Sequence, residues 1–347
     1  MTNNRFYIAG FLFLCLVLFP LYSNTGDVCC FNDRPDSLSY YCNKGLEAIT
    51  ENNGKAIVYF LAHDLLEGRK TGERGNSIAA QYIASVLMSL DIHPVSGKEG
   101  TTDVYMDRFK IKSRSGDSAC MANVLGVLKG RSNEWVVVGA HFDHLGKGDG
   151  NIYNGADDNA SGVSAVLQIA KAFAGSGYVP ERNVLFALWD GEERGLLGSL
   201  HFVEQSMRDM KISAYINFDM IGRNTPGSDT GHVEIFYTEK YPVFESVNTR
   251  AVKNYGLSLS PVYRPSGRLT YISDNSAFAR KGIPYVWYHT GDHHDYHKMS
   301  DHAEKINWGK MTEITKAGFL TAWKLANNRY MPKKKETESV SEPAVFD

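Results

Sequence analysis

Five segments of this 347-residue chain set imidazoles or carboxylates where apolar runs end or a helical stretch begins. Val136-Val137-Val138-Gly139-Ala140 leads into His141-Phe142-Asp143. A histidine leaving a strand can bind zinc through one ring nitrogen while a nearby carboxylate holds the other, and Asp143 stands two residues on. Asp157 and Asp158 are adjacent within Gly155–Gly162 at the start of a helical stretch, where carboxylates also serve as caps and dipole partners. Trp189-Asp190-Gly191-Glu192-Glu193 joins another apolar run to a turn. In such a pair one carboxylate can bind metal while its uncoordinated neighbour takes a proton from metal-bound water. Asp219 closes a further apolar run, and His289, His293, His294 and His297 crowd nine residues after the next. This set suits hydrolysis assisted by divalent ions, and zinc accepts imidazole and carboxylate without any thiolate.

Elements that would carry these groups can be read from hydrophobic periodicity. Helical spacing covers residues 46–63, 75–90, 162–173, 196–207, 243–255, 276–280 and 307–328. Strand-length apolar runs cover 123–128, 135–138, 183–188, 212–218, 233–237 and 283–288. Continuous apolar strands separated by amphipathic helices predict an α/β fold: a mixed, largely parallel central sheet with helices on both faces, in three αβα layers. In such sheets ligands gather beyond the carboxyl ends of the strands, where all five segments stand.

The order His-x-Asp, Gly-x-x-Asp-x-x-Ser-Gly, Glu-Glu, Asp, His resembles the zinc exopeptidases of the bacterial leucyl aminopeptidase and glutamate carboxypeptidase family. Leu66-Glu67-Gly68-Arg69-Lys70-Thr71-Gly72 and Ser300-Asp301 add to the likeness, which runs from about Leu61 to Trp323. The resemblance implies two Zn2+ per chain. It assigns His141 and Asp219 to one ion, Glu193 and His297 to the second, and Asp158 to the bridge. Asp143 would orient His141, Glu192 would act as general base on a metal-bridging hydroxide, and Tyr296 would hydrogen-bond the oxyanion. Met299 and His302 depart from the usual proline and threonine in the loop beyond the last ligand. The implied activity is removal of N-terminal residues from peptides with a free N-terminus. Alternatives on this fold are a mono-zinc glutaminyl cyclase-type acyltransferase and a di-zinc carboxypeptidase. The 77 residues between Asp219 and His297 leave no room for the dimerisation domain that related hydrolases of N-acyl amino acids insert there. Arg223 has two readings, support of the site or a structural salt bridge.

Outside this region the chain changes character. Phe6–Phe19 is an apolar run ended by Pro20, the length of a signal-peptide core and short of the roughly 20 residues that span a bilayer. Residues 1–24 are therefore expected to be a signal, with export to the periplasm or medium and no stable membrane insertion after cleavage. Cys29, Cys30, Cys42 and Cys120 would then remain, an even number suited to disulfides that staple an N-terminal extension, 25–45, to the catalytic domain, 25–330. Residues 331–347, a Lys run and a Glu/Ser/Pro-rich tail, have little to bury and are expected to be disordered. With 37 basic and 39 acidic residues the formal charge is −2, which argues against a nucleic-acid partner. Loops at 224–231 and 259–271 are candidate walls of a specificity pocket.

Overall fold

The computed structural model describes residues 35–97, 100–112, 118–225, 227–267 and 273–328. The expected signal, Cys15, Cys29, Cys30 and the tail beyond 330 lie outside them. In chain order the strands are β1 (His93–Pro94), β2 (Met106–Lys112), β3 (Ser118–Leu128), β4 (Glu134–His141), β5 (Gly146–Gly148) and β6 (Asn151–Tyr153). They continue with β7 (Asn183–Trp189), β8 (Lys211–Phe218), β9 (His232–Thr238), β10 (Ser260–Ser266) and β11 (Tyr285–His289). The helices are α1 (Pro35–Leu46), α2 (Glu51–Leu61), α3 (Arg74–Ser89), α4 (Gly162–Ser176), α5 (Leu197–His201), α6 (Val243–Tyr255), α7 (Asn275–Arg280) and α8 (Trp308–Asn327).

All strands but the β5–β6 hairpin join one sheet, ordered β1-β3-β7-β4-β8-β11-β9-β10, with β2 also paired to β3. Its middle, β7-β4-β8-β11, is parallel throughout, as the uninterrupted apolar runs predict. Antiparallel pairs occur at β3–β7 and β11–β9, so the sheet is mixed. Strand side chains alternate between faces. Val136 and Val138 of β4 join the core under α2, α3, α4, α6 and α8, while Val137 joins the smaller core with Phe202 and with Phe278 of α7. The three-layer expectation is met.

Local chemistry sets the helix ends. The stretch expected as one helix from 46 to 63 is broken, because Thr50 caps α2 by accepting the Asn53 N–H. Asn307 does the same for α8 through the Lys310 N–H. Gly177, at φ +72°, ends α4 in the left-handed conformation that glycine adopts without cost. Residues 260–266, expected as part of an irregular loop, instead form β10. That strand carries Pro261 and Pro265 and lies at the sheet edge, where missing N–H groups are tolerated. Residues 268–272 of the same expected loop lie outside the described residues.

The expected stapling by disulfides is absent among the described residues: Cys42 and Cys120 are free thiols. Cys42 is buried with its Sγ 3.8 Å from the Tyr255 hydroxyl, and burial raises its pKa to about 11. Among the described residues no helix is long and apolar enough to cross a membrane.

Candidate metal centre

Because β7, β4, β8 and β11 run parallel, their carboxyl ends meet at one rim of the sheet. His141 ends β4, Glu192 and Glu193 follow β7, Asp219 follows β8, and His297 lies on the loop after β11. Asp158 comes from the turn that opens α4 over the same rim, and its peptide bond to Asn159 is cis. These six residues, all singled out in the sequence, thus converge.

Distances divide them into two clusters that share Asp158. His141 Nε2 lies 3.4 Å from Asp158 Oδ1 and 3.4 Å from Asp219 Oδ1. His297 Nε2 lies 3.2 Å from Asp158 Oδ2 and 3.3 Å from Glu193 Oε2. Ligands about 2.0–2.1 Å from one tetrahedral ion sit about 3.3 Å from each other, so both clusters have the spacing of donors around zinc. Asp158 offers one oxygen to each, as a bridging carboxylate must. Its neighbour Asp157 faces elsewhere: it accepts the Gly222 N–H at 2.6 Å and stands 3.2 Å from His293 Nε2.

Other protein groups hold these side chains in place. His141 Nδ1 donates to the Asp143 carbonyl at 3.2 Å, while the Asp143 carboxylate is 3.6 Å away. The Asp143 carbonyl thus accepts the ring N–H, with the carboxylate of the same residue close beside that nitrogen. That buried carboxylate accepts the N–H groups of Glu192 and Glu193 at 3.0 and 3.3 Å, which sets the Glu-Glu turn. Thr71 Oγ1 is 3.0 Å from both Asp143 and Asp190. A buried hydrogen-bond chain runs from Trp189 Nε1 to the Tyr215 hydroxyl, then to Asn217 Oδ1. Asn217 Nδ2 donates to Ser273 Oγ at 2.8 Å, and Ser273 donates to Asp219 Oδ2 at 2.6 Å. Asp219 thereby presents Oδ1 alone to the cluster. His297 has φ +54°, a left-handed backbone costing a non-glycine residue about 1–2 kcal/mol. Such strain concentrates at functional sites.

The electrostatics follow from four carboxylates meeting three imidazoles. Glu192 brings an oxygen within 4.8 Å of ligand atoms of His141 and Asp219. Burial pushes its carboxyl well above the ordinary range, with Asp219, Asp274 and Glu193 adding and His141 opposing. Asp158 is held well below that range by His144, His141 and His297 in spite of its burial. Hydrogen bonds to Asp158 and Glu193 raise His297 to about 10, an attraction that a divalent cation at the same place would replace. Tyr296, an exposed tyrosine, stacks on His297 with centroids 3.9 Å apart. Of the remaining histidines, His289 donates Nδ1–H to the Asp219 carbonyl at 2.8 Å, His293 pairs with Asp157, and His294 is exposed. Arg223 bonds to Asp295 at 2.6 Å, and its Nη1 stands 3.5 Å from Asp301 Oδ1.

Sequence reasoning missed His144, whose Nδ1 is 2.8 Å from Glu193 Oε1, and Ser273. His144 directly follows His141-Phe142-Asp143, so a second imidazole beside a metal motif was its available signal. Ser273 reaches Asp219 across 54 positions and carries none. Arg69 lies in the noted Leu66–Gly72 stretch but had no role. It proves fully buried, donating to the carbonyls of Leu61, Phe142, Asn154 and Gly155 at 2.6–3.0 Å.

Comparison with known proteins gives a family and a fold. Residues 123–321, more than half of the chain, match the sequence model of Peptidase family M28. Leupeptin-inactivating enzyme 1 of Streptomyces exfoliatus is 32% identical over 182 residues, 52% of this chain and 37% of that protein. An aminopeptidase of Pseudomonas aeruginosa is 43% identical over 96 residues, 27% of this chain and 17% of that protein. The chain therefore spans well under half the length of these curated relatives. The LapA aminopeptidase of Legionella pneumophila superposes with a TM-score of 0.65 at 22% identity, covering 88% of this chain and 78% of that one. At that identity the likeness establishes a shared fold.

Proposed function

The chain belongs to peptidase family M28, and from that premise we propose that it is a di-zinc aminopeptidase releasing N-terminal residues from peptides with a free N-terminus. The observation that carries this reading is Asp158, with Oδ1 toward His141 and Oδ2 toward His297. His141, Asp219 and Asp158 would hold one ion, and Glu193, His297 and Asp158 the other. When bound, the pair supplies Lewis acidity toward the scissile carbonyl and a water acidified to near-neutral pKa.

The chain's own groups do the rest. Glu192 takes the proton of the attacking water on its carboxylate and delivers it to the leaving amine nitrogen. Its burial, which favours the protonated form, suits a base that must hold that proton briefly. Asp143 keeps Glu192 and Glu193 in their turn through the two backbone N–H groups. Tyr296, at the mouth beside His297, donates its hydroxyl hydrogen to the developing oxyanion. The names of the relatives, an aminopeptidase among them, support action at the N-terminus.

The test is hydrolysis of free and N-acetylated aminoacyl amides, with and without chelator, alongside metal content. Cleavage of the free compounds alone, lost on chelation, with two zinc ions per chain, is the expected result. Equal turnover of acetylated substrates or chelator-resistant cleavage would overturn it. One zinc per chain with cyclisation of N-terminal glutamine would establish the acyltransferase alternative instead.

A further inference from the structure

We infer that His144 is a positioning residue for the second metal site, donating its Nδ1–H to Glu193 Oε1 so that only Oε2 faces the ion. The inference rests on the two-metal reading above. His144 is one of three residues, with Asp158 and Glu193, whose donor atoms gather within 4.8 Å, so it could itself be a ligand. Distances decide between the two roles. The pairs that flank a zinc position stand 3.2–3.4 Å apart. His144 Nδ1 is instead 2.8 Å from Glu193 Oε1, the length of a direct hydrogen bond, and 3.7 Å from Asp158 Oδ2.

The other ring nitrogen agrees. His144 is buried, and its Nε2 has no hydrogen-bond partner. Were Nδ1 bound to metal, Nε2 would carry the hydrogen and be an orphaned buried donor, which folded proteins rarely keep. Ligating histidines almost always donate their second N–H, as His141 does to the Asp143 carbonyl. With Nδ1–H given to Glu193, Nε2 keeps only a lone pair, the less costly atom to leave unpaired. The ring is also fixed from behind. An added Cβ at Gly155 would stand 2.5 Å from His144 Cδ2, so the glycine leaves the space the ring occupies.

The arrangement mirrors the first site. Ser273 occupies Asp219 Oδ2 and leaves Oδ1 to His141's cluster. His144 occupies Glu193 Oε1 and leaves Oε2 to His297's cluster. Each terminal carboxylate thus has one oxygen tied to a protein donor and one turned toward the metal.

Metal titration of the full chain tests this, using zinc against a competing fluorescent chelator. The wild type should bind two ions. His144→Leu should bind the first normally and the second about 10–100-fold more weakly, as expected when a ligand loses its supporting hydrogen bond. His144→Asn places an amide N–H near the Nδ1 position and should recover most of that loss. Unchanged second-site affinity in His144→Leu, or His144→Asn as weak as His144→Leu, would overturn the inference. The wild type gives an independent reading. In 15N-histidine spectra of the 113Cd-loaded protein, His144 should keep Nδ1 protonated and show no coupling to cadmium. An unprotonated, cadmium-coupled Nδ1 would make it a ligand instead. If the wild type binds a single ion, the two-metal reading fails on its own. The protonation of Nδ1 then still decides the role of His144.

Discussion

Asp301 accepts the backbone N–H groups of both Asp157 and Asp158 on one oxygen, Oδ2, at 2.9 and 3.1 Å. A residue 143 positions away in the chain thus holds the turn that presents Asp158, the proposed bridging carboxylate. Asp301→Ala would leave two buried amides without an acceptor, at about 1–3 kcal/mol each. Asp301→Asn keeps a carbonyl oxygen there. Thermal unfolding of the metal-free protein should therefore show a large loss for the alanine variant and a small one for the asparagine variant. Zinc affinity at both proposed sites should fall in the same order, because in that reading Asp158 is shared between them.

Ser273 gives a prediction confined to one site. Its hydroxyl donates to a carboxylate, a class of hydrogen bond contributing about 1.5–3 kcal/mol. Ser273→Ala should weaken the ion held by His141 and Asp219 by about 10–100-fold and leave the other unchanged. Stepwise titration with cobalt, followed by its visible absorption, separates the two. Equal weakening at both sites would show that Ser273 acts on Asp158 or on the fold as a whole.

Arg69 predicts a stability effect with a graded series. Its guanidinium joins four carbonyls from three segments, those of Leu61, Phe142 and the Asn154–Gly155 pair. A lysine ammonium is a point charge and cannot match that fork. If Arg69→Lys leaves about two acceptors unpaired, roughly 2–6 kcal/mol of stability is lost. Arg69→Met leaves all four unpaired and should lose more. Urea unfolding in chelator should rank the proteins wild type, lysine variant, methionine variant.

The middle of the sheet and the residues that converge on the candidate site were legible because each signal is local. An apolar run of six or seven residues reads as a buried parallel strand, and a carboxylate at its end is displaced toward the rim. The edges were not legible for the same reason. The alternation of charge and apolar residues in Met106–Lys112 and the two prolines in Ser260–Ser266 do not read as buried strands. Both nevertheless pair at or near the sheet margins. Ser273, Thr71 and Arg69 act through contacts between distant segments, which no local pattern records. Asp143 shows the finer limit. Spacing placed it beside His141, yet only the folded backbone turns its carbonyl to the ring and its carboxylate to Glu192 and Glu193.

Glu192 separates chemistry from binding. Its carboxylate stands beside the first cluster, but its role in the proposed reaction is proton transfer, whereas Glu193 and Asp219 hold metal. Glu192→Gln keeps the size and the backbone N–H that Asp143 accepts, and it removes the group that accepts a proton. Zinc content should stay at the wild-type value while kcat falls by about 10²–10⁴-fold, the contribution typical of a positioned acid–base group. KM should change little, because the ions and the mouth of the site are unaltered. Metal analysis and steady-state kinetics on one preparation check both halves. Near wild-type turnover would remove Glu192 as the base, and loss of zinc would make it a ligand of the first site.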